Sequence, residues 1–444
     1  MMNTYMNAVS LFSNCGAGDI GYRKAGFEFQ VMAELESSRL EVCILNHPEA
    51  TPIVGDLRDT WEQVINTYRI RTSSSLDLLA ACPPCQGVSS ARGNRGKGNN
   101  PDDGMKDERN LLAVIIANVA KVLIPKIIVV ENVPAFLTRQ VRHPDTGESI
   151  SAADLLISIL RLNYYVFPLL TDLSEYGVPQ SRKRMFLTFL RRDLDILEQL
   201  LSRGLTPYPI PIYTPENGAE PIKLVSALSQ LKLPSLDAAS PEKANCEEYK
   251  GWHSVPVWDD EKYQMIATIP PNSGKSAWEN NSCLNCQLEN IDKNEAICPR
   301  CSYKLPRPII KQHDGQFRLI KGFHSSSYRR MLPDRPASTI TTGSGHIGSH
   351  FTIHPFENRL FSPLECAHLQ TFPEDFNWGD ALEKWGHTNI RQMIGEAVPP
   401  LFTEKHGMIL KSLLEGNISS QLLSSSDTRC QSAQRKLYQL RREQ

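Results

Sequence analysis

The sequence has almost no net charge. Its 48 lysines and arginines face 49 aspartates and glutamates, for a formal charge of −1. Global charge therefore gives no reason to expect nucleic acid or an anionic membrane as partner. Binding to nucleic acid would need local basic clusters. Three are present: "ARGNRGKGNN" at 91–100, "QSRKRMF" at 180–186 with Arg191 and Arg192 beyond it, and "YRRMLPDR" at 328–335. Each alone is more often a solvated face than a phosphate track.

The sequence also lacks a long uninterrupted apolar run. The most apolar stretch, 111–130, is broken by Lys121, Pro125 and Lys126. A membrane span there would place two charges in lipid, at roughly 2.5–3.5 kcal/mol each. A helix, a proline break and a buried strand are expected instead. The opening residues have neither a charged start nor a long apolar run, so no export signal is expected. No internal repeat stands out. The 11 cysteines are an odd number. Without a leader they suit a reducing cytoplasm, where thiols serve as ligands, nucleophiles or small core residues.

Up to about residue 190 apolar runs alternate with helical stretches. "NAVSLF", "EFQVMAEL", "LDLLAA", "KIIVVEN" and "RMFLTFL" read as strands buried on both faces, as in a parallel α/β sheet. The pattern dissolves beyond about 195, where "TPYPIPIYTPENGAEP" is rich in Pro and turn residues. The expected division is a cofactor-binding domain over 1–195 and an irregular second domain over 196–355. A return to the first domain over 356–415 and a loosely ordered tail over 416–444 complete it. Ser362, with Glu365 three positions on, predicts a capped helix start.

Four constellations carry chemistry. In "SLFSNCGAGDIG" a small-residue turn follows a strand and opens a helix, so backbone N–H groups can approach a ligand. Glu34 ends the next strand, at the distance where a carboxylate meets ribose hydroxyls. Asp56, at the end of a third strand, is placed to reach an adenine amino group. Together they predict an adenosine-type cofactor. At 283–301, "CLNCQLENIDKNEAICPRC" holds two Cys-x2-Cys pairs. Cys283, Cys286, Cys298 and Cys301 suit a tetrahedral zinc site that is structural, because four sulfurs leave no position for water.

"LLAACPPCQGVSS" presents Cys82 and Cys85 at a strand end beside a basic, glycine-rich loop. The zinc set does not need them. A redox dithiol stays open, although the following loop is unlike the helix start that usually lowers a thiol pKa. The other reading is one nucleophile at the sheet edge where ligands bind. Glu131 ends the apolar strand in "VVENV", where a carboxylate either faces a cleft or caps a turn. Arg182 and Arg184 in "QSRKR" are two apart, which in a strand gives one face suited to an anion or a base-edge oxygen.

Taken together these residues resemble the cytosine-5 DNA methyltransferases of bacterial type. "LFSNCGAGDIGYRKAGF" is similar to the family's cofactor motif, "PPCQG" to its nucleophile motif and "ENV" to its base-activating motif. "QSRKR", "RPASTIT" and "IGEAVPP" follow in the family's order. The resemblance implies a doubly wound, Rossmann-like S-adenosylmethionine-dependent catalytic sheet. It also implies a target-recognition domain between "QSRKR" and "RPASTIT". It makes Cys85 the nucleophile toward carbon 6 of a flipped cytosine. Glu131 would hold N3 and the exocyclic amine, and Arg184 the carbonyl oxygen with Arg182 in support. Cofactor contacts would fall to Phe12, Gly16, Glu34, Asp56, Pro84, Leu111 and Glu396.

Two residues depart from the family pattern: Asn14 stands for glycine and Glu396 for asparagine. A carboxylate at 396 would repel the cofactor's carboxylate unless it faces the ammonium. The implied partner is double-stranded DNA, in the setting of a restriction-modification system with a cognate endonuclease. A cytoplasmic, nucleoid-associated monomer is expected. Transfer RNA methylation and an inactive DNA-binding homologue are the rival readings. The long insert argues against the first, and Cys85, Glu131 and Arg184 against the second.

Overall fold

The computed structural model describes residues 5–84 and 112–438. Cys85, Leu111 and the glycine-rich loop at 87–104 lie outside the described residues.

Chain order begins β1 (Met6–Leu11), α1 (Ala17–Lys24), β2 (Phe27–Glu34), α2 (Ser37–Asn46), β3 (Thr51–Val54), α3 (Leu57–Arg71) and β4 (Leu78–Ala81). It continues with α4 (Leu112–Leu123), β5 (Ile127–Asn132), a small hairpin of β6 (Gln140–Arg142) and β7 (Ser149–Ser151), and α5 (Ala152–Leu160). Then come β8 (Tyr164–Asp172) and β9 (Lys183–Arg191). The long apolar stretch is thus a helix, a proline break and a strand.

Seven strands form one sheet in the order β3-β2-β1-β4-β5-β9-β8. Pairs from β3 to β5 are parallel, and β9 runs antiparallel to β5 and β8. This is the expected doubly wound α/β sheet. The chain leaves β1 toward β2 on one side, while β4 lies on the other. The carboxyl ends of β1 and β4 therefore flank a topological switch point, where open α/β sheets bind ligands. Apolar side chains cover both faces. Val9, Val31, Ile128 and Leu187 pack against α3, α4 and α5 on one face. Phe29, Met32, Val129 and Phe186 pack on the other.

Two expected boundaries are corrected. Helix α6 (Asp195–Ser202) and strand β10 (Leu205–Pro209) bury Ile196, Leu200 and Tyr208 in the sheet's own core. The first domain therefore runs past 195. The segment expected as a loose tail carries β13 (Leu422–Ser424), paired with β10, and α12 (Thr428–Gln434). Ala433 and Leu437 are fully buried there, and Arg429 pairs with Glu175 at 2.6 Å. Few apolar residues suffice because they dock on a surface already built.

Between β10 and residue 361 the described chain has only short elements: α7 (Leu224–Leu231), α8 (Asp260–Ala267), β11 (Ile309–Lys311) and β12 (Phe317–Leu319). Side chains supply the order that periodic backbone pairing does not. Arg330 is completely buried and donates to the carbonyls of Ile269, His354 and Ile266. Helix α9 (Pro363–Leu369) starts as predicted, with Ser362 and Glu365 in a capping box. Arg359 grips Glu365 through both guanidinium ends at 2.7 and 2.8 Å, and this pairing holds the buried carboxyl down to about 2. The chain closes onto the sheet with α10 (Ala381–Glu396) and α11 (Pro400–Leu414). No helix among the described residues is long and apolar enough to cross a membrane.

Candidate active site

A cleft of about 510 Å³, open to solvent, lies at the carboxyl ends of β1, β4 and β5. Phe12, Asn14, Asp19, Cys82, Glu131 and Glu396 are among its lining residues. The turn after β1 requires unusual backbone. Phe12, Asn14 and Gly16 all take positive φ, at 61°, 49° and 74°. Asparagine visits that region at a modest penalty, so it can stand where glycine is usual. Its amide also donates to the carbonyl of Met393 at 2.9 Å, tying the turn to α10. At Gly16 a Cβ would meet Cys43 Sγ and His47 at 2.8 Å, so bulk is excluded there.

Glu34, at the end of β2, is 6% exposed. Its Oε2 accepts from the Asn14 N–H at 2.8 Å and its Oε1 from the Glu36 N–H at 3.2 Å. Burial raises its pKa, and the Arg39 cation pulls it back. Asp56 behaves differently. It caps α3 through the Arg58 N–H at 2.9 Å, and its carboxylate also meets the Arg58 guanidinium at 2.7 Å. Gly16, Glu34, Asp56 and Pro84 are not part of the cleft's lining, whereas Phe12, Glu131 and Glu396 are.

Glu131 sits in β5 opposite Phe186 of β9, and Arg184 is the second residue of that neighbouring strand. Arg184 Nε stands 2.8 Å from Glu131 Oε1, with both side chains nearly buried. Cys82 Sγ donates to the other oxygen at 2.7 Å. Asn132 reaches back to the carbonyl of Pro83 at 3.0 Å, so the "ENV" strand end and the segment that follows β4 brace each other.

The expectation that Arg182 and Arg184 share one face is corrected. Arg182 is 1% exposed and donates to the carbonyls of Ile340, Gly395 and Ala397. It joins the start of β9 to the segments at 335–341 and 394–400 and is not in the cleft lining. Spacing within a strand does not apply to it, because β9 begins at Lys183.

Three residues at this site, Asn132, Arg39 and Asp19, escape a reading of the sequence, as does the contact that Cys82 makes. Cys82, Asn132 and Arg39 act through contacts across the fold. Asp19 lines the cleft, takes a hydrogen bond from Ser10 at 3.0 Å, and is pushed up to about 7 by burial. Its signal was an acid one turn into a helix directly after a ligand-type glycine turn.

The four cysteines of the second region come together. All four sulfurs lie within 4.8 Å of one another, with Cys283–Cys301 at 3.5 Å and Cys286–Cys298 at 3.6 Å. A tetrahedron of Zn–S bonds near 2.3 Å has edges of about 3.8 Å. Each pair forms the same knuckle. Gln287 N–H returns to Cys283 and Ser302 N–H to Cys298, and both Gln287 and Ser302 take positive φ. Arg307, 3% exposed, donates to the carbonyls of Asp292 and Glu295 and holds the loop between the knuckles.

The doubly wound sheet with a cleft at its switch point is the architecture of an enzyme that binds a ligand at the strand ends. The chain matches the model of the C-5 cytosine-specific DNA methylases over residues 6–411, and it belongs to that family. It is similar to the Type II methyltransferase M1.HgaI of Avibacterium volantium, at 27% identity over 91% of this chain and 97% of that protein. It is similar also to the Type II methyltransferase M.DdeI of Desulfomicrobium norvegicum, at 29% identity over 90% of this chain and 87% of that protein.

Two solved structures share the fold at a TM-score of 0.53. One is a DNA modification methyltransferase encoded within an Escherichia coli prophage, 20% identical over 92% of this chain and 99% of that one. The other is an Entamoeba histolytica methyltransferase, 13% identical over 93% of this chain and 99% of that one. Family membership makes the protein a DNA cytosine-5 methyltransferase that uses S-adenosylmethionine.

Proposed function

We propose that the enzyme methylates a cytosine flipped out of a specific duplex DNA sequence, by way of a covalent bond to Cys85. The observation that carries this reading is Glu131, which lines the cleft beside the strand that leads to Cys85 and is paired with Arg184 at 2.8 Å. A carboxyl and a guanidinium side by side match the N3, exocyclic amine and carbonyl edge of cytosine.

The Cys85 thiolate adds to carbon 6 and breaks the ring's 5,6 double bond. Electron density then rises at carbon 5. A protonated Glu131 at N3 offsets the negative charge so created, and Arg184 steadies the carbonyl oxygen. S-Adenosylmethionine, when bound, supplies an electrophilic methyl group. Loss of the carbon 5 proton and departure of the Cys85 thiolate restore the aromatic ring and the enzyme. Arg182 acts by position, since its Nη1 and Nη2 donate to backbone carbonyls.

The residues present suit that cofactor. Glu34 is a buried strand-end carboxylate with both oxygens aligned by backbone N–H groups. The turn after β1 takes positive φ at Phe12, Asn14 and Gly16, and Asn14 Oδ1 is buried without a hydrogen-bond partner. Phe12, Gly16, Glu34, Pro84, Leu111 and Glu396 would contact it. Asp56 joins them if it gives up part of its hold on Arg58.

Residues 211–355 would read the DNA, with Cys283, Cys286, Cys298 and Cys301 holding one structural zinc. The Type II relatives support a place in a restriction-modification system; a cognate endonuclease as genetic partner and a cytoplasmic, nucleoid-associated monomer belong to the same proposal. The test is to incubate the purified protein with genomic DNA and S-adenosylmethionine and to sequence for 5-methylcytosine. Methylation at one recurring DNA word is expected. Methylated transfer RNA with unmodified DNA would overturn the reading.

A further inference from the structure

Glu396 ends α10 at a position where the motif it resembles usually carries a neutral amide. It lines the cleft, and its Oε2 lies 2.6 Å from Nη1 of Arg39 on α2. The two residues are 357 positions apart in the chain, and Arg39 reaches the cleft's edge through Glu396. We propose that Arg39 and Glu396 act as one unit that reads the amino-acid end of S-adenosylmethionine, Glu396 taking the ammonium and Arg39 the carboxylate. This rests on the cofactor reading above and deepens it.

Three observations carry the assignment. The first is charge balance. Arg39 is the cation that interacts with both Glu396 and Glu34. Two carboxylates against one guanidinium leave one negative charge over. The cofactor carries an ammonium, a carboxylate and a sulfonium, for one positive charge over. The sets are complementary only when the ammonium meets a carboxylate and the carboxylate meets the guanidinium.

The second is an open acceptor. Asn14 Oδ1 is buried, has no hydrogen-bond partner, and belongs to a residue lining the same cleft as Glu396. An ammonium has three donors and can use such an acceptor beside a carboxylate. The third is energetic. Side chains 16% and 26% exposed remain partly wet. An ion pair near the surface contributes about 0–1 kcal/mol to folding. A stabilising clasp would therefore gain little from this pair. A recognition element gains both charges at fixed positions, because a guanidinium fork and a carboxylate orient each other.

The test uses calorimetric titration of the full chain with three ligands: S-adenosylhomocysteine, its analogue lacking the carboxylate, and its analogue lacking the amine. Weak binders are measured by competition. For Glu396→Gln we expect about tenfold weaker binding of S-adenosylhomocysteine and less than twofold change for the analogue lacking the amine. For Arg39→Gln we expect about tenfold weaker binding of S-adenosylhomocysteine and less than twofold change for the analogue lacking the carboxylate. Unchanged binding of those analogues also shows that the variants are folded.

Equal weakening of all three ligands, or no weakening, would overturn the proposal. Restored affinity for S-adenosylhomocysteine in Arg39→Glu/Glu396→Arg would also overturn it, since only a structural clasp survives a charge swap. Wild-type protein that binds none of the three would overturn the cofactor reading itself, a result distinct from any variant effect.

Discussion

The thiol of Cys82 donates to Oε2 of Glu131 at 2.7 Å, across 49 residues of chain. Glu131 is thereby held on both oxygens, with Arg184 on the other. Of the two cysteines in "CPPC", Cys82 therefore has a definite place beside Glu131.

The two cysteines should separate on mutation. Cys85→Ala is expected to abolish methyl transfer. Cys82→Ala removes one weak donor from Glu131, a loss of about 1 kcal/mol or roughly fivefold in turnover. Cys82→Ser should recover most of that. Tritiated methyl incorporation into DNA measures all three. Complete loss in both alanine variants would revive the dithiol reading.

The two acidic positions should fail in different ways. Glu131→Gln is expected to lower single-turnover methylation more than tenfold with little change in cofactor affinity, because its partner is the base. Glu34→Ala should weaken cofactor binding first, because the buried carboxylate accepts from the Asn14 and Glu36 N–H groups and has no base to meet. Cofactor titration beside single-turnover rates distinguishes them, and the reverse pattern would exchange the roles.

The four knuckle cysteines should carry one zinc per chain. A structural zinc in a small peptide contributes roughly 10–16 kcal/mol of apparent binding energy near pH 7. Cys298→Ser is expected to release the metal and weaken specific DNA binding more than tenfold while sparing cofactor affinity. Elemental analysis with a DNA-binding isotherm checks this. Wild type purified with ample zinc but containing none would end the proposal.

Acid should destabilise the fold through buried histidines. Burial lowers His406 to about 3, and His47 and His354 to about 4. Their unfolded value is about 6.5. Below that pH the unfolded chain binds protons that the fold refuses, so this stability is present above about pH 6.5 and is lost as pH falls toward the folded values. Asp19 works the other way. Its pKa is raised to about 7, so the fold holds a proton that the unfolded chain releases above about pH 4. Each excess proton on the unfolded side costs about 1.4 kcal/mol per pH unit. Melting temperature measured from pH 7.5 to 5 is expected to fall, and to fall less steeply in His406→Gln. Equal slopes would mean that His406 becomes charged without leaving the core.

Much of the catalytic domain was legible in the sequence. Buried parallel strands read as continuous apolar runs, and helix caps and turns have local chemical signatures. Ser362 with Glu365, the glycine turn after β1 and the strand-end acids Glu34 and Glu131 are all of this kind. The two Cys-x2-Cys pairs are as well, since a knuckle closes within a few residues. The C-terminal elements were illegible for the opposite reason. Their few apolar residues have no periodicity of their own and gain order only from the strand and core they meet.

The sequence by itself determined the order of the motifs, the parallel sheet and the identity of the groups able to do the chemistry. Those properties depend on residue type and on spacings of a few positions, which backbone geometry converts directly into faces, turns and caps. Only the tertiary structure decided which of those groups meet. It sent Arg184 to Glu131 and Arg182 to three backbone carbonyls, although the two are separated by one residue. It set Glu396 against Arg39 and Cys82 against Glu131. Such pairings form when distant elements close on one another and each buried charge or donor must find a partner. The distances involved leave no trace in any local pattern.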